Sequence, residues 1–461
     1  MKNCVVVGGG ISGLLAAIIA ADYCQSVTLI ESQPQCGGLL QSWQNDDGIN
    51  FDYGTHILSE TDDDELNKII FKGMYENPDK WSYLDVTKVS ATFAGKRFDT
   101  GQFVPLTNLS GQQYNNALAE LITAPGLELD DAENFEHYAR LNYGNTITDD
   151  ILRPLMNKLQ GCDISELHPT AHYFFALNRF IAADTKISRE LKQSPMLDAK
   201  LAFATYYDGL SGVKRFYPKH DEHNTQGINL WVEHLLAQAR EKKVNILTDS
   251  LVESLTQDTD EAGKNRITQV TLKQGLTINC DELIWTIPPI FAIRQLGIEY
   301  QGQSPQFCPM SLHHMVFDKP FNDKNYYSNI HDLAAKGFRL TLYPNITLGE
   351  ITGPHRCTVE VLNSGIDDMD ELNGILAQEL KDLDYLPEDA KLLSADAINV
   401  PMGFPRFSNQ FVAEKIKQVD LLEQQVDNIS LIGKASRREF FVYGILKETH
   451  KTVKQLFEDR A

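Results

Sequence analysis

The hydrophobic pattern of the first thirty-one residues predicts a strand, a helix and a second strand. The apolar run CVVV at 4–7 has the length of a buried strand, and glycines follow it directly. The largely apolar stretch at 11–21 predicts a helix, and the run VTLI at 27–30 predicts a strand that ends in Glu31. In this order, these elements predict a βαβ unit of a parallel sheet.

The glycines of this unit have the spacing G-x-G-x-x-G, at Gly8, Gly10 and Gly13. The first permits a tight turn, the second lets a pyrophosphate approach the backbone, and the third lets the helix pack closely on the strand. Glu31 ends the second strand, where a carboxylate can accept hydrogen bonds from ribose hydroxyls. The unit therefore predicts a bound dinucleotide with contacts to Gly8, Gly10, Ile11, Ser12, Gly13 and Glu31.

The rest of the chain mixes helical and strand-like patterns. The patterns predict helices at 62–74, across much of 110–205, at 229–241 and at 369–383. They predict strands at 83–104, 244–255, 267–275, 276–280, 281–289, 311–317, 339–343 and 358–362. A last strand is predicted to end at Gly433, and a last helix to begin near Gly444.

The composition restricts the size, the partners and the compartment of the protein. A chain of 461 residues is too long for one compact core, so we expect two or three domains. The net charge of −21 argues against a nucleic acid or an anionic membrane as the main partner. The seven cysteines form no C-x-x-C pair, which favours a reducing cytoplasm. Glycines interrupt the apolar run at 4–21, so we expect no targeting segment and no transmembrane helix.

Two motifs beyond Glu31 narrow the choice of dinucleotide. A Gly-Gly pair occupies 37–38, and residues 48–58 read GINFDYGTHIL. In this arrangement the chain resembles the FAD-binding family of amine oxidases, protoporphyrinogen oxidases, carotenoid desaturases and UDP-galactopyranose mutases. The resemblance implies further cofactor contacts from Gly37, Gly38, Leu39, Tyr53, Gly54, Thr55 and His56. It also implies that His56 lies near the isoalloxazine ring as a candidate catalytic side chain, the alternative being a histidine held by backbone carbonyls.

One position departs from the pattern of that family. Many members carry an arginine directly after the Gly-Gly pair, and this chain has Leu39. Because leucine offers only a backbone N–H there, positive charge near the pyrophosphate or the flavin has to come from another part of the chain.

The resemblance extends to two later segments. Residues 244–289 resemble the second FAD-binding segment, in which the backbone of one valine, here Val252, meets the adenine. Near the end of the chain, the resemblance implies that Gly433 approaches the ribityl phosphate. The helix that carries Tyr443 and Gly444 then points its N-terminus at the flavin. Many relatives have an aspartate or arginine after this glycine, whereas this chain has Lys434.

The resemblance implies an α/β fold with a Rossmann-like FAD-binding domain and a mixed α+β substrate domain, in which an antiparallel sheet is combined with helices. We expect a discontinuous FAD-binding domain from residues 1–80, 225–288 and 398–461. The substrate-binding domain is then 81–224 and 289–397, with a helical segment at about 110–205. No cysteine follows Cys357, so a late thioether to the flavin is impossible and we expect non-covalent FAD.

Several side chains are candidates for substrate binding because their segments border the expected substrate chamber. They are Arg339, Arg406, Arg437, Arg438 and Tyr443. An arginine cluster would suit a diphosphate or a carboxylate, and a solvated surface is the alternative for each arginine. Tyr443 either stacks on a substrate or fills the core. His313 and His314 are adjacent in a predicted strand and lack metal-ligand spacing, so we expect no metal.

Three functions fit these motifs. The first is an FAD-dependent oxidoreductase that removes hydride from a small organic substrate at the flavin N5, and the T-I-P-P sequence at 286–289 favours it. The second is a mutase-like, redox-neutral isomerisation of a nucleotide sugar, which the PMGFPRF sequence at 401–407 and the arginines favour. The third is a non-catalytic flavin-binding protein. We prefer the first, and the sequence leaves the substrate and the oligomeric state open.

Overall fold

The structure is a computed structural model that describes residues 2–206, 213–219, 227–259, 265–347, 355–437 and 441–458. Its strands are β1 Asn3–Val7, β2 Ser26–Ile30, β3 Ser42–Gln44, β4 Asn50–Asp52, β5 Leu58–Ser59, β6 Trp81–Leu84, β7 Val89–Phe93, β8 Lys96–Phe98, β9 Val104–Pro105, β10 Phe180–Ile181, β11 Arg215–Pro218, β12 Asn245–Leu247, β13 Val252–Thr259, β14 Asn265–Leu272, β15 Thr277–Asn279, β16 Glu282–Trp285, β17 Phe307–Cys308, β18 Met310–Phe317, β19 Tyr327–Ile330, β20 Gly337–Leu342, β21 His355–Leu362, β22 Leu392–Asn399, β23 Phe404–Pro405 and β24 Ile429–Leu431.

The α-helices follow the same chain order. They are α1 Ile11–Ala20, α2 Asp64–Ile70, α3 Lys72–Glu76, α4 Gly111–Thr123, α5 Phe135–Tyr143, α6 Asn145–Ile147, α7 Arg153–Gln160, α8 Thr185–Leu191, α9 Pro195–Asp198, α10 Asn229–Glu241, α11 Pro289–Gln295, α12 Tyr343–Ile346, α13 Met369–Asp382, α14 Asn409–Gln425 and α15 Val442–Glu458. None of the helices in the described ranges is long and apolar enough to cross a bilayer.

One half of the folded molecule, called here the first half, is built around a five-stranded parallel sheet. Its strand order is β12-β2-β1-β16-β24. Its strands come from three distant stretches of the chain. Val6 and Leu29 face a core shared with α1, α10 and α15, while Val5 and Val7 face the β13-β14-β15 meander. Because both faces of the sheet are buried, its strands are continuous apolar runs, as in other parallel sheets.

A seven-stranded sheet forms the second half, in the order β22-β18-β21-β20-β19-β7-β8. Its pairs are antiparallel except for β7 with β19. Along β21, Val359 and Val361 pack in one core with Leu376 of α13. Glu360 lies between them in sequence and therefore points to the opposite face of the sheet. Helices α4 to α7 form a further core beside this sheet.

The predicted fold class is confirmed: a Rossmann-like sheet is combined with a mixed α+β part that contains a largely antiparallel sheet. Several elements were not predicted, among them β11, β19, β22, α11 and α14. The last helix begins at Val442, so Gly444 lies inside its first turn. Arg438 lies outside the described residues.

Gly13 is the tightest point of the parallel half. A Cβ atom at this position would lie 1.8 Å from the carbonyl oxygen of Gly8, in the backbone of the turn. We expect Gly13→Ala to destabilise the fold by at least about 1–3 kcal/mol, since neither α1 nor the turn can move apart without disturbing the sheet. The midpoint of denaturant unfolding measures this change.

Gly374 in α13 provides the matched control. A Cβ atom there meets no atom within 4 Å, so Gly374→Ala adds a methyl group in open space within a helix. It should raise stability by about 0.5–1 kcal/mol through helix propensity. Equal unfolding midpoints for the two variants would contradict the close packing at Gly13.

His172 and His314 are among the fully buried histidines of the second half of the molecule. His172 stacks on Phe135 with ring centres 4.6 Å apart, and its Nε2 lies 3.1 Å from the Tyr143 hydroxyl. His314 bonds through Nδ1 to Thr358 Oγ1 at 2.8 Å. Burial lowers the pKa of each to about 3, because the charged imidazolium loses its hydration. Both rings are therefore neutral at physiological pH.

These two histidines predict acid sensitivity. The unfolded chain binds their protons below about pH 6.5, whereas the folded chain does not, so stability falls as the pH drops below that value. Each histidine should cost about 2 kcal/mol between pH 7 and pH 5. Unfolding midpoints across this range test the slope. His172→Gln should lose less stability over the interval than the parent, and an unchanged slope would contradict the assignment.

Candidate functional site

The glycines of the turn between β1 and α1 have different surroundings. Gly8 has φ +103°, and a Cβ atom there would lie 2.2 Å from Thr286 Oγ1, so only glycine fits. Gly10 has φ −71° and ψ −179°, which any residue can adopt, and a Cβ atom there meets nothing within 4 Å. The backbone at position 10 does not itself require glycine, and the open space beside it lies at the N-terminus of α1.

This turn is chemically suited to a pyrophosphate. The first turn of α1 carries no acidic residue, and no side chain caps the helix. The N–H groups in the first turn of a helix lack partners within the helix, and together with the positive end of the helix dipole they favour an anion in the space beside Gly10. The described residues therefore fit the phosphate part of a dinucleotide.

Glu31 lies beside the turn, at the end of β2. Its Oε2 accepts a hydrogen bond from the Gly9 N–H at 2.6 Å, and its Oε1 accepts one from the Gln33 N–H at 2.8 Å. The Glu31 carbonyl accepts a hydrogen bond from the Ser250 N–H at 2.9 Å, so the segment that leads into β13 lies against the end of β2. Val252 begins β13 two residues later. Glu31 and the Val252 segment thus share one edge of the parallel sheet.

The Gly-Gly pair packs on the glycine turn. Gly37 donates its N–H to the Gly9 carbonyl at 2.8 Å, and a Cβ atom on Gly38 would lie 3.5 Å from the Gly10 Cα. Both have positive φ, at +124° and +62°. Leu39 follows, and 40% of it is exposed where it lines a cavity.

The segment that carries His56 contacts the second sheet. The Thr55 N–H donates to Glu360 Oε1 at 3.3 Å, and a Cβ atom on Gly54, where φ is +103°, would lie 3.3 Å from the same oxygen. His56 Nε2 lies 3.2 Å from the Tyr53 carbonyl oxygen. Burial lowers the pKa of His56, so its ring is neutral near pH 7.

A cavity of about 1320 Å³ connects the two halves of the molecule. Its lining includes the 53–57 segment, Lys434 beyond β24, Arg339 of β20 and Glu360 of β21. Typical ligand cavities have volumes of about 300–1,000 Å³. This larger space can hold the end of a cofactor together with a second small molecule.

The predicted substrate-binding residues do not all lie together in the structure. Arg339 and Arg406 line the cavity. Arg339 NH1 lies 3.5 Å from Glu360 Oε2, and Arg406 donates to the Gln160 carbonyl at 3.0 Å and to Gln306 Oε1 at 2.6 Å. The predicted arginine cluster is thus reduced to two side chains that already have partners.

Arg437 and Tyr443 lie elsewhere, so the structure gives no support to their predicted contacts with substrate. Arg437 pairs with Asp420 at 2.5 Å and with Glu423, and Tyr443 is 43% exposed and donates to Asp62 Oδ1 at 2.9 Å. Neither lines the cavity. The partners of Arg437 lie on α14, which was not predicted, whereas the partner of Tyr443 lies just before α2.

Sequence reasoning missed Glu360 and Lys415, which also line the cavity. Glu360 is 3% exposed and lies within the apolar strand β21, directly opposite Arg339 in the register of β20 and β21. A charged residue in a buried strand was the available signal. Lys415 lies on α14, whose amphipathic pattern was overlooked.

The two adjacent histidines are ordinary strand residues. His313 Nδ1 lies 2.7 Å from Asn373 Oδ1, whereas His314 bonds to Thr358, so the two rings point to opposite faces of β18. Within the described ranges, no group of histidine, cysteine and acidic side chains is arranged to hold a metal ion.

The N-terminal part of the chain matches a known family. Residues 6–72 match the family model for an NAD(P)-binding Rossmann-like domain. Two curated relatives are the 4,4'-diaponeurosporene oxygenases of Staphylococcus aureus strains Mu50 / ATCC 700699 and USA300. Each is 23% identical over 305 residues, with 61% of this chain and 55% of the relative covered. The chain therefore spans about half the length of these relatives.

The fold as a whole matches solved structures. A reduced UDP-galactopyranose mutase has a TM-score of 0.74 at 14% identity, with 99% of this chain and 94% of the other covered. A protein assigned as a protoporphyrinogen oxidase from Exiguobacterium sp. 255-15 has a TM-score of 0.65 at 14% identity, with 99% of both chains covered. An oxidoreductase from Methanosarcina mazei has a TM-score of 0.61 at 11% identity, with 98% and 100% covered.

The fold and the site define the class as a Rossmann-like dinucleotide-binding protein with a second, largely antiparallel sheet. Within this class the chain shares the fold of UDP-galactopyranose mutase and the protoporphyrinogen oxidase group, which confirms the resemblance inferred from its motifs.

Proposed function

We propose that this protein is an FAD-dependent oxidoreductase that acts on a small organic molecule held in the 1320 Å³ cavity. One observation carries the proposal. The same cavity is lined by the 53–57 segment and Lys434, near the glycine turn, and by charged side chains of the second sheet. A cofactor that enters from the turn and a substrate that lies on the second sheet would therefore meet in one cavity.

The proposed cofactor contacts follow the site geometry. The space beside Gly10 would hold the pyrophosphate, and Glu31 would accept hydrogen bonds from the ribose. The flavin end would then extend past Gly38 toward His56, within the cavity. When bound, FAD supplies a hydride acceptor. We propose non-covalent binding, because Cys357 is fully buried and every other cysteine precedes it.

Glu360 is our candidate for the proton acceptor in this reaction. Its carboxylate is nearly buried at the cavity wall, and the Thr55 N–H and the Arg339 guanidinium hold it in place. An oxidation that removes hydride from a substrate C–H bond also releases a proton from the adjacent nitrogen or oxygen. A carboxylate fixed beside the cofactor segment can take up that proton at Oε1 or Oε2.

A second candidate is a mutase-like isomerisation of a nucleotide sugar. It is favoured by the cationic side chains of the cavity, Arg339, Arg406, Lys415 and Lys434, which suit a diphosphate. Phe404, which lies two residues before Arg406 on the cavity wall, offers a surface on which a base can stack. We rank it second because Arg339 and Arg406 already have partners within the chain.

We place the protein in the cytoplasm, because all seven cysteines are free thiols. Its partner would be the small-molecule substrate.

The purified protein should be yellow, and acid should release FAD that mass spectrometry distinguishes from FMN. Gly10→Val should abolish FAD binding without loss of fold, since valine is compatible with the backbone at position 10 but fills the space beside it. Glu31→Ala should weaken FAD binding by roughly 10- to 150-fold, because the loss of charge-assisted hydrogen bonds costs about 1.5–3 kcal/mol.

Titration of deflavinated protein with FAD measures both effects, and circular dichroism with unfolding midpoints reports the fold. A Gly10→Val variant that binds FAD as tightly as the parent would disprove the placement of the pyrophosphate.

The role of Glu360 predicts a rate defect. A screen of amines, porphyrinogens and nucleotide sugars by anaerobic flavin bleaching should identify a reducing substrate. With that substrate, Glu360→Gln should slow flavin reduction by about 10²–10⁴-fold and leave FAD affinity unchanged, because glutamine keeps the shape but cannot accept the proton.

Exposed Glu371 at the start of α13 provides a neutral control through Glu371→Gln. Flavin that stays oxidised with amines and porphyrinogens, combined with turnover of a nucleotide sugar by the reduced enzyme, would contradict the oxidoreductase proposal in favour of the mutase.

A further inference from the structure

Two cysteines lie together at the edge of the parallel sheet where its strands begin, away from the glycine turn. Cys4 is the second residue of β1, and Cys24 lies in the connection between α1 and β2. Because α1 follows β1 and runs back along the sheet, the end of the helix returns to the start of the strand. Both cysteine side chains pack in the core that α1 shares with the sheet.

Backbone hydrogen bonds hold the connection that carries Cys24 against the start of β1. The Cys24 N–H donates to the Ala20 carbonyl at 2.9 Å, which continues the last turn of α1. The next residue, Gln25, donates its N–H to the Lys2 carbonyl at 2.9 Å, just before Cys4. Cys24 is therefore fixed on both sides, to the helix and to the segment that leads into β1.

The two thiols share a side-chain hydrogen bond and differ in their readiness to lose a proton. This bond raises the pKa of buried Cys4 well above its usual value and lowers the pKa of half-buried Cys24. Burial opposes the lowering at Cys24, the positive charge of Lys2 supports it, and the negative charges of Glu282 and Asp281 oppose it. The Cys4 thiol therefore donates to Cys24 and favours the thiolate there.

The structure describes all seven cysteines, and the other five lack this arrangement. Burial raises the pKa of Cys36 and Cys162 to about 11 and that of Cys280 to about 12. Cys162 and Cys308 also lie near each other, but burial raises the pKa of both, and the Cys308 thiol donates to the Gln160 carbonyl at 3.5 Å. This second pair provides a control within the same molecule.

We propose that Cys4 and Cys24 are a redox-active pair that a peroxide converts to a disulfide, which joins the start of β1 to the end of α1. Cys24 is the sulfur that a small oxidant can reach, because exposed Tyr23 and Gln25 flank it. The proposal does not depend on the proposed function. In a reducing compartment the pair would be two thiols at rest, and the disulfide would be transient.

The oxidation takes place in two balanced steps. The Cys24 thiolate attacks one oxygen of the peroxide, the O–O bond breaks, and the products are a Cys24 sulfenic acid and hydroxide, which takes up the proton lost from Cys24. The Cys4 sulfur then attacks the Cys24 sulfur, the S–S bond forms, the S–O bond breaks, and the hydroxyl group leaves as water with the Cys4 proton. Two thiols are oxidised, and hydrogen peroxide is reduced to two waters.

The disulfide should stabilise the βαβ unit reversibly. It closes a loop that contains most of β1, the glycine turn and α1, and a closed loop restricts the unfolded chain. The oxidised protein should therefore unfold at a higher denaturant concentration than the reduced protein, and a thiol reductant should reverse the difference. A disulfide that leaves the unfolding midpoint unchanged would overturn this stabilising role.

Peptide mapping of the parent protein tests the pair directly. The reduced protein is treated with equimolar hydrogen peroxide, alkylated, and digested without reductant for mass spectrometry. We expect a Cys4–Cys24 disulfide and intact thiols at Cys162 and Cys308. Before oxidation, iodoacetamide at about pH 7 should alkylate Cys24 roughly tenfold faster than Cys162 or more, because its higher thiolate fraction outweighs its lower nucleophilicity.

Three variants separate the roles of the two sulfurs. Cys4→Ser should leave a Cys24 sulfenic acid that dimedone traps, Cys24→Ser should abolish both the disulfide and the rise in the unfolding midpoint, and Cys162→Ser should behave as the parent. Since Cys4 is buried, its variant could fail to fold, but the parent and Cys24→Ser then still decide. A parent in which peroxide leaves Cys4 and Cys24 as thiols, or joins other cysteines, would overturn the proposal.

Discussion

The close contact between the first turn of α1 and the end of β1 is the constraint on which the site depends. At Gly13 the helix approaches the Gly8 carbonyl so closely that a single methyl group would lie 1.8 Å from it. This contact fixes the helix N-terminus at the carboxyl edge of the parallel sheet, where β16 and β24 also end. Gly433 packs on the same helix turn, which brings Lys434 to that edge. These glycines together shape the edge at which we propose that the cofactor phosphates bind.

The second half of the molecule completes the site by placing charge on a buried sheet. Alternation along β21 directs Val359 and Val361 toward α13 and Glu360 toward the cavity. The register of β20 and β21 sets Arg339 opposite Glu360, so the carboxylate enters the cavity wall with a partner. Burial of an unpaired carboxylate would be costly, and the Thr55 N–H supplies a further bond from the cofactor side.

The local features of the fold were predictable because they depend on short-range patterns. The βαβ unit, its glycine spacing and Glu31 lie within thirty-one consecutive residues, and in the structure the Glu31 carboxylate bonds directly to the glycine turn. Strand β22 escaped prediction because most of its residues are only partly buried, and its pairing with β18 supplies the stabilisation. The roles of Glu360 and Lys434 depend on contacts between segments far apart in sequence, which no local pattern contains.

The predicted arginine cluster was wrong for the same reason, because the contacts of its members also depend on distant segments of the chain. Sequence position grouped Arg437 with Arg406, but α14 provides Asp420 and Glu423, and the ion pairs with these residues keep Arg437 away from the cavity. Ion-pair partners from distant segments of the same chain thus determine which charged side chains remain available for a ligand.

A crystal structure of the protein with FAD tests the central claim most directly. The account predicts a pyrophosphate in the space beside Gly10, a ribose on Glu31, and an isoalloxazine ring inside the cavity, between the 53–57 segment and Lys434. A flavin ring outside this cavity, or a pyrophosphate bound away from the N-terminus of α1, would contradict it.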